Sequence, residues 1–239
     1  MKKLLLVGLL AFGMSVTSSV AQDSVAQIFE RAKAAHGGAA IEALQTYSDT
    51  GLLSFYQNAQ LVGKFGYTQK YDFKTMTMRI EVSLERQPAV IQQVSKDAAW
   101  QWTPQSGMVN LPAAQAKPLR DSFYQGFFAL KAKASALTDL KSDGLVKLSD
   151  TVSGAGMTFK LNGADNSFVI GNDGVILGGK TLVDGATVIT LYGDNRVVSG
   201  IKLPFTAKSS SDGQPVTELE STAAQINPVF TEADFAQPK

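Results

Sequence analysis

The feature that most constrains the fold is an alternation of apolar and polar residues that persists from Leu61 to Leu84. Successive side chains of a β-strand point to opposite faces, so this alternation predicts strands with one apolar and one polar face. The large apolar residues occupy odd positions up to Phe73 and even positions from Met76 onward. Two long strands in succession therefore indicate an antiparallel meander with one solvated face.

Shorter apolar stretches predict further strands, and turn-forming sequences lie between many of them. The turns are Asn172-Asp173-Gly174, Asp184-Gly185, Gly193-Asp194-Asn195 and Asp212-Gly213. Their regular spacing favours one continuous sheet or barrel over alternating strand and helix units. The predicted shorter strands are Ala89–Val94, Ala99–Thr103, Leu145–Asp150, Met157–Leu161, Phe168–Gly171, Val175–Leu182, Thr187–Tyr192, Val197–Phe205 and Val216–Ile226.

Helical periodicity occurs in two places. Ser24 and Gln27 match a capping box, which predicts a helix from there to about His36, with a short turn after the glycine pair that ends it. A second helix is predicted from Pro118 to about Leu140, where apolar residues recur every three or four positions. This central segment can be ordinary core that plugs the open face of the sheet, or a movable lid over an apolar cavity.

The first residues resemble a cleaved secretory signal. Lys2 and Lys3 precede the apolar run Leu4–Met14, and small residues at Ser19 and Ala21 suit a signal peptidase. We expect cleavage after Ala21, a periplasmic location, and one domain over residues 22–239. No cysteine follows the apolar run, so a lipid anchor of the bacterial lipoprotein type is not expected.

Composition excludes several functions. The chain has 22 Lys and Arg against 21 Asp and Glu, which gives no electrostatic reason to expect a nucleic-acid partner. With 0 Cys and 1 His, thiolate chemistry and multi-histidine metal sites are excluded, and we expect no metal and no cofactor. A helix long and apolar enough to span a membrane is not expected in the mature chain.

Two sequence features resemble functional motifs, but their sequence context does not support phosphate binding or catalysis. Residues 174–181 match the phosphate-binding loop pattern, yet the β-branched residues after Thr181 predict a strand where that loop needs a helix. His36 precedes two glycines, where a cationic imidazole would favourably cap a helix C-terminus. A hydrolase is the least favoured function, because no nucleophile motif accompanies this histidine. Its signature would be a serine beside His36 or a solvent-reachable cluster of carboxylates.

Several segments together resemble a known family. Ala35-His36-Gly37-Gly38 closes the first helix before a long meander, and the chain ends with Tyr192-Gly193-Asp194, the stretch 198–205, Asp212-Gly213, Asn227 and Phe235. This layout resembles the LolA/LolB-like superfamily of periplasmic lipoprotein-localisation factors, in particular its divergent lipoprotein-sorting-like members. The resemblance covers most of the mature chain.

The resemblance implies an α+β, mainly β fold. A large curved antiparallel sheet would form an incomplete barrel around an apolar cavity, covered by the N-terminal helix and the central helical lid. It also implies that the cavity shields acyl chains or lipids from water. The lid-holding arginine of LolA-type carriers has no counterpart here, because Arg79 falls in the polar phase of its strand and Arg120 belongs to the helical segment.

Two non-enzymatic functions follow. The first is a monomeric periplasmic carrier or chaperone that holds a lipid or a lipoprotein acyl chain and meets a transient envelope protein partner. The second is an envelope structural or interaction protein with a filled barrel and no ligand. Trp100 and Trp102 share one strand face and fit either packing or a cavity rim. The predicted ligand-binding wall residues are Phe65, Tyr67, Tyr71, Met76, Met78, Ile80, Trp100, Trp102, Phe123 and Phe127.

Overall fold

The computed structural model describes residues 24–183 and 185–238. The signal-peptide prediction and Asp184 lie outside these residues. Three α-helices are present, α1 (Val25–Ala35), α2 (Ala39–Glu42) and α3 (Ala113–Asp121), with 3₁₀ turns at Ser122–Tyr124, Gly126–Lys131, Ala134–Ala136 and Glu232–Phe235. The strands are β1 (Thr46–Gln57), β2 (Gln60–Asp72), β3 (Thr77–Leu84), β4 (Gln87–Val94), β5 (Ala99–Thr103), β6 (Gly107–Asn110), β7 (Thr138–Lys147), β8 (Ser153–Leu161), β9 (Ala164–Ile170), β10 (Ile176–Val183), β11 (Ala186–Val198), β12 (Ile201–Ser211) and β13 (Gln214–Ile226).

All 13 strands belong to one antiparallel sheet in the order β6-β5-β4-β3-β2-β1-β13-β12-β11-β10-β9-β8-β7. The edge strands β6 and β7 do not pair with each other, so the sheet is curved but not closed into a barrel. This confirms the prediction of a continuous antiparallel sheet forming an incomplete barrel. The helices lie on its concave face.

The antiparallel pairing places alternate connections at opposite ends of the sheet. The connections β1–β2, β3–β4, β5–β6, β8–β9, β10–β11 and β12–β13 lie at one end, called the hairpin end here. The other end, called the helix end, carries the β2–β3 turn and the β11–β12 turn, where Lys202 N–H donates to His36 O at the end of α1.

The first helix forms as the sequence predicts. The Gln27 N–H donates to Ser24 Oγ at 3.3 Å, and the Ser24 N–H donates to Gln27 Oε1 at 2.6 Å, which completes the capping box. The α1 face formed by Ile28, Phe29 and Ala32 is buried against the sheet. The helix ends at Ala35, and Gly37 follows with a φ of 122°, a backbone conformation that glycine adopts without a Cβ clash.

The central segment is not the continuous helix that the periodicity predicts. Pro118 lies inside α3 rather than at its start, and its missing N–H removes a helical hydrogen bond. The chain is extended at Gln125 and turns at Gly126, whose φ is 55°, so only short 3₁₀ turns follow. The segment then joins β7 at Thr138, seven residues before the predicted strand at Leu145. The prediction of one continuous helix from Pro118 to about Leu140 is therefore wrong, although three short 3₁₀ segments lie within this range.

Two other boundaries differ from the sequence prediction. The predicted strand Val197–Phe205 is divided by a tight turn at Ser199 and Gly200, both with positive φ. The predicted turn Gly193-Asp194-Asn195 lies inside β11, where Asp194 has a φ of 48°. The pairing of β11 with β12 keeps its register across Asp194, since Gly193 lies opposite Thr206 and Asn195 opposite Pro204, so a residue with positive φ is accommodated inside the strand and the predicted turn is wrong. The short strand β6 was not predicted.

Candidate functional site

Aromatic rings fill the half of the concave face nearest the helix end. The Tyr71 ring centroid lies 5.4 Å from Phe123 and 4.7 Å from Phe128. Phe73 stacks on Tyr71 at 5.9 Å and contacts the same two phenylalanines. Pairs at these distances stabilise a packed core. Two predicted wall residues, Tyr71 and Phe123, are therefore mostly enclosed by other side chains.

The strand register tests whether the remaining predicted wall residues share a face. Tyr71 lies opposite Met78, and Tyr67 lies opposite Val82, which places Tyr67, Met78 and Ile80 on the concave face. Phe65 also belongs to this face and packs edge to face on Phe55 at 5.8 Å. Five sheet residues of the prediction are thus brought to one surface.

The five differ in how far they are buried. Met78 has no exposed surface, and its sulfur accepts a hydrogen bond from Ser122 Oγ at 3.3 Å. Tyr67 is also buried, whereas Phe65 and Ile80 remain half-buried toward the hairpin end. Met78 is therefore core, and the accessible part of the concave face lies farther from the helices.

Met76 is not part of a strand, although the sequence alternation places it there. It occupies the β2–β3 turn with a φ of 54° and lines a cavity of about 170 Å³ together with Phe123 and Arg120. Phe127 lies in the central segment, where its ring is 5.4 Å from His36. Phe127 also reaches a larger cavity, described below.

The two tryptophans are on the opposite side of the sheet. Trp100 pairs with Gln93, which pairs with Arg79, and the Arg79 guanidinium lies 5.8 Å from the Trp100 ring. Trp102 has the same orientation on β5, since it is two residues away. The prediction that Trp100 and Trp102 share one face holds, but their placement with the concave wall residues is wrong.

A cavity of about 330 Å³ opens between the central segment and the sheet. Tyr71, Phe127 and Phe128 form an aromatic wall, with Tyr192 from β11. Of the ten predicted residues, Tyr71 and Phe127 line this cavity. Neighbouring strand residues Thr181 and Thr190 complete a mixed apolar and hydroxyl lining.

This cavity adjoins a second one because β9 and β10 separate. Their last paired residues are Val169 and Gly178, and beyond this pair the Lys180 N–H donates to Ser167 Oγ at 3.3 Å. A groove of about 470 Å³ lies in the opening. The groove and the inner cavity share the lining residues Gln125, Asp165, Asn166, Ser167 and Thr181.

Asn166 fixes the central segment beside this opening. Its side-chain oxygen accepts the Gly126 N–H at 3.0 Å, and its side-chain nitrogen donates to Tyr124 O at 2.9 Å. Gln125 Nε2 also donates to Asp165 O at 3.1 Å. These bonds hold Phe127 at the cavity wall. Asn166 was not predicted as a site residue, although it is a polar residue in the buried phase of β9 and is itself buried.

A buried polar cluster lies on the floor of the concave face. The Tyr67 hydroxyl donates to Asp49 Oδ2 at 2.6 Å, and Ser221 Oγ also donates to this oxygen at 3.2 Å. Among the described residues, Asp49 Oδ1 has no hydrogen-bond partner. Burial raises the pKa of Asp49 to about 6. Gly51 leaves room for the Tyr67 ring, since a Cβ there would lie 2.8 Å from it.

His36 is a neutral structural residue rather than a cationic cap. The Ile176 N–H can only donate, so Nε2, 3.0 Å away, accepts its hydrogen bond and Nδ1 carries the proton. Nδ1 donates to Lys202 O at 2.6 Å. Burial lowers the pKa of His36. Both ring nitrogens are therefore bonded to backbone groups, and the predicted role of a charged cap is wrong.

The convex side of β2 and β3 is crossed by the C-terminal residues. Lys70 Nζ bonds Asp234 Oδ1 at 2.7 Å, and Arg79 Nη1 donates to Ala236 O at 2.8 Å. Lys70 and its hydrogen bond hold the pKa of Asp234 down to about 2. Arg79 thus binds the C-terminal segment on the convex side, as expected for a residue that alternates with the apolar residues of β3.

Residues 24–183 and 185–238 contain no group of three or more metal-ligating side chains. In the same part of the chain, no helix has the length and apolarity needed to cross a bilayer.

Comparison with solved structures identifies the architecture. A DUF1329 family protein from Desulfovibrio piger superposes with a TM-score of 0.62 at 10% identity, over 90% of this chain and 98% of that protein. A LolA superfamily protein from Nitrosomonas europaea superposes with a TM-score of 0.59 at 8% identity, over 90% of this chain and 99% of that protein. The chain has a divergent LolA-like fold.

The comparisons that support the LolA-like fold are structural. No protein-family model matches the sequence, and the search of curated proteins found no match. Both superpositions cover nearly the whole of the other chain, so the likeness extends over the fold as a whole. The predicted fold and the resemblance that suggested it are confirmed.

Proposed function

We propose that this protein is a non-enzymatic carrier or chaperone that holds an acyl chain of a lipid or lipoprotein in the concave cleft. The observation that carries the proposal is the aromatic-walled cavity of about 330 Å³ that adjoins the groove between β9 and β10. Ligand sites in proteins typically occupy roughly 300–1,000 Å³. The LolA-like fold supports an apolar cargo but does not name one.

Burial of an apolar chain can supply the binding free energy without a polar recognition motif. Each methylene removed from water contributes about 0.8 kcal/mol, so about twelve methylenes give about 10 kcal/mol before association costs are subtracted. Phe127, Phe128 and Tyr192 offer the apolar surface for such burial. Polar residues at the mouth, including Thr181 and Asn166, leave room for a hydrated headgroup in the groove.

The setting of this function is also part of the proposal. The signal-like first residues favour export to the periplasm, with residues 22–239 acting as one monomeric domain. A carrier of this kind needs to exchange its cargo, so we expect a transient partner in the cell envelope.

The second candidate function is an envelope interaction protein without a ligand. The observation that favours it is the aromatic cluster around Tyr71, which fills the half of the concave face nearest the helix end. Under this alternative the 330 Å³ cavity stays hydrated and accepts no apolar molecule. The two functions therefore differ in whether the cavity binds an acyl chain.

The test places a charge at the cavity mouth. Thr181→Glu introduces a carboxylate where the groove and the cavity meet. Thr187→Glu is the matched control, because Thr187 lies opposite Leu182 on the neighbouring strand, is exposed and lines neither cavity. We expect Thr181→Glu to weaken binding of a fluorescent fatty acid at least about tenfold, since an unpaired charge opposes burial of an apolar chain.

The control should bind like the wild-type protein, and circular dichroism should show both variants folded. Equal binding by Thr181→Glu and the wild type would remove the cavity from the proposal. Absence of binding by the wild-type protein would favour the interaction protein.

A further inference from the structure

Exposed apolar side chains concentrate at the hairpin end. Nine large apolar residues in the described part of the chain are at least half exposed, and six of them lie on hairpin tips at this end. The other three, Leu145, Val197 and Val229, lie toward the helix end. The six residues, called the apolar rim here, are Leu61, Val62, Leu84, Val109, Leu182 and Val183.

The apolar rim covers both sides of the β10–β11 tip. Leu182 and Val183 are neighbours in a regularly paired part of β10, and such neighbours point to opposite faces of a sheet. Leu61 and Val62 are neighbours at a bulge of β2, where the pairing with β1 skips Val62. A protein packed on one face would cover one member of the Leu182 and Val183 pair, whereas immersion of the tip in an apolar medium covers both.

The apolar rim is also long. Its outermost members lie on β6 and β10, which are the first and the tenth strand in the sheet order and are therefore separated by nine interstrand spacings. At about 4.8 Å between strands this is about 43 Å measured along the curved sheet. A bilayer surface can meet tips separated by this distance at the same time.

The charges beside these tips are largely compensated. Lys64 pairs with Glu220 at 3.6 Å, and Lys208 pairs with Glu218 at 2.6 Å. Glu85 and Arg86, of opposite sign, form the β3–β4 turn. A compensated, apolar edge is complementary to a surface without net charge, such as zwitterionic headgroups, rather than to an anionic one.

We propose that the apolar rim docks the protein on a lipid bilayer by shallow insertion of its hairpin tips among zwitterionic headgroups. Docking in this orientation brings the groove between β9 and β10 to the membrane, because Leu182 belongs to the apolar rim and also lines the groove. Leu61 and Val62 of the apolar rim line neither the groove nor the inner cavity, so substitutions there test docking without changing the cargo site.

The first experiment is cosedimentation of the mature protein with vesicles of phosphatidylcholine and phosphatidylethanolamine. The double variant Leu61→Ser, Val62→Ser removes one apolar tip far from the groove. The control, Leu145→Ser with Val197→Ser, makes the same two substitutions at exposed positions away from the apolar rim. We expect the rim variant to bind vesicles at least about tenfold more weakly, the control to bind normally, and NaCl to have little effect.

A second measurement locates the insertion. The chain contains 0 Cys, so Val62→Cys and Val197→Cys each give one labelling site for a polarity-sensitive fluorophore. The label at position 62 should shift to the blue with vesicles, and the label at position 197 should not. Equal vesicle binding by the rim variant and the control, binding abolished by NaCl, or no blue shift at position 62 would overturn the proposal.

Discussion

The buried carboxyl of Asp49 gives a quantitative prediction. It is 5% exposed, and burial raises its pKa from 3.8 to about 6 despite hydrogen bonds from Tyr67 and Ser221. Below pH 3.8 the group is protonated in both the folded and the unfolded chain. Between pH 3.8 and 6 the unfolded chain loses the proton first, so the free energy of unfolding decreases as pH rises.

The size of this effect follows from the two pKa values. One pKa unit corresponds to about 1.4 kcal/mol, so Asp49 alone lowers the free energy of unfolding by about 3 kcal/mol as pH rises from well below 3.8 to well above 6. Asp49→Asn keeps an oxygen that accepts the Tyr67 hydroxyl proton but does not titrate. The stability of Asp49→Asn relative to the wild type should therefore increase by about 2 kcal/mol between pH 4 and pH 7.

Urea unfolding followed by circular dichroism at pH 4, 5, 6 and 7 measures this difference, and subtraction of the wild type cancels the other titrating groups. Tyr67→Phe serves as a second variant. It removes a hydrogen bond that lowers the pKa of Asp49, so it should steepen the loss of stability with pH. A difference between Asp49→Asn and the wild type that is constant over this range would refute the reasoning.

Two further substitutions test other parts of the structure. Met78→Glu should prevent folding rather than remove ligand binding alone, because the side chain has no exposed surface, while Met78→Leu should fold; thermal unfolding of Met78→Glu at the wild-type midpoint would contradict this. Asp234→Asn should lower stability by up to about 1 kcal/mol at neutral pH through loss of its ion pair with Lys70. The lowered pKa of Asp234 means that this stabilisation is present above pH 3.8 and lost as pH falls through about 2, so urea unfolding should show the difference disappear there.

The meander could be predicted because its signal is local. Alternation along β2 and β3 determines which residues face the concave side, and Tyr67, Met78 and Ile80 lie where that pattern places them. The capping box at Ser24 likewise uses residues three apart, and α1 begins there. Signals of this kind depend on the backbone geometry of residues close in sequence, so they can be recognised without knowing which distant residues are in contact.

The face of β5 could not be predicted from its own sequence. Trp100 and Trp102 alternate with Ala99 and Gln101, a pattern typical of an aromatic inner face. In the structure Ala99 lies opposite the buried Val94, so Trp100 lies on the convex side, where the Arg79 guanidinium is 5.8 Å from its ring. The orientation of β5 follows from its pairing with β4, which the sequence of β5 alone does not contain.

The residues at the cavity mouth also could not be predicted from local sequence, because their roles depend on how distant segments are arranged. Asn166 bonds the backbone of the central segment forty residues away, and Thr181 lines the cavity because β9 and β10 separate beyond Val169 and Gly178. The position of Asp49 in the apolar phase of β1 is a signal that the sequence does contain. A charged residue at a buried phase marks a site worth examining.

The most direct test of a carrier function is native mass spectrometry of the mature protein purified from the periplasm, followed by solvent extraction and lipid identification. We expect a stoichiometric lipid or acyl species on the wild type and on Thr187→Glu, with much lower occupancy on Thr181→Glu. A wild-type protein that carries no such species and does not bind a fluorescent fatty acid would contradict the carrier function and favour a ligand-free interaction protein.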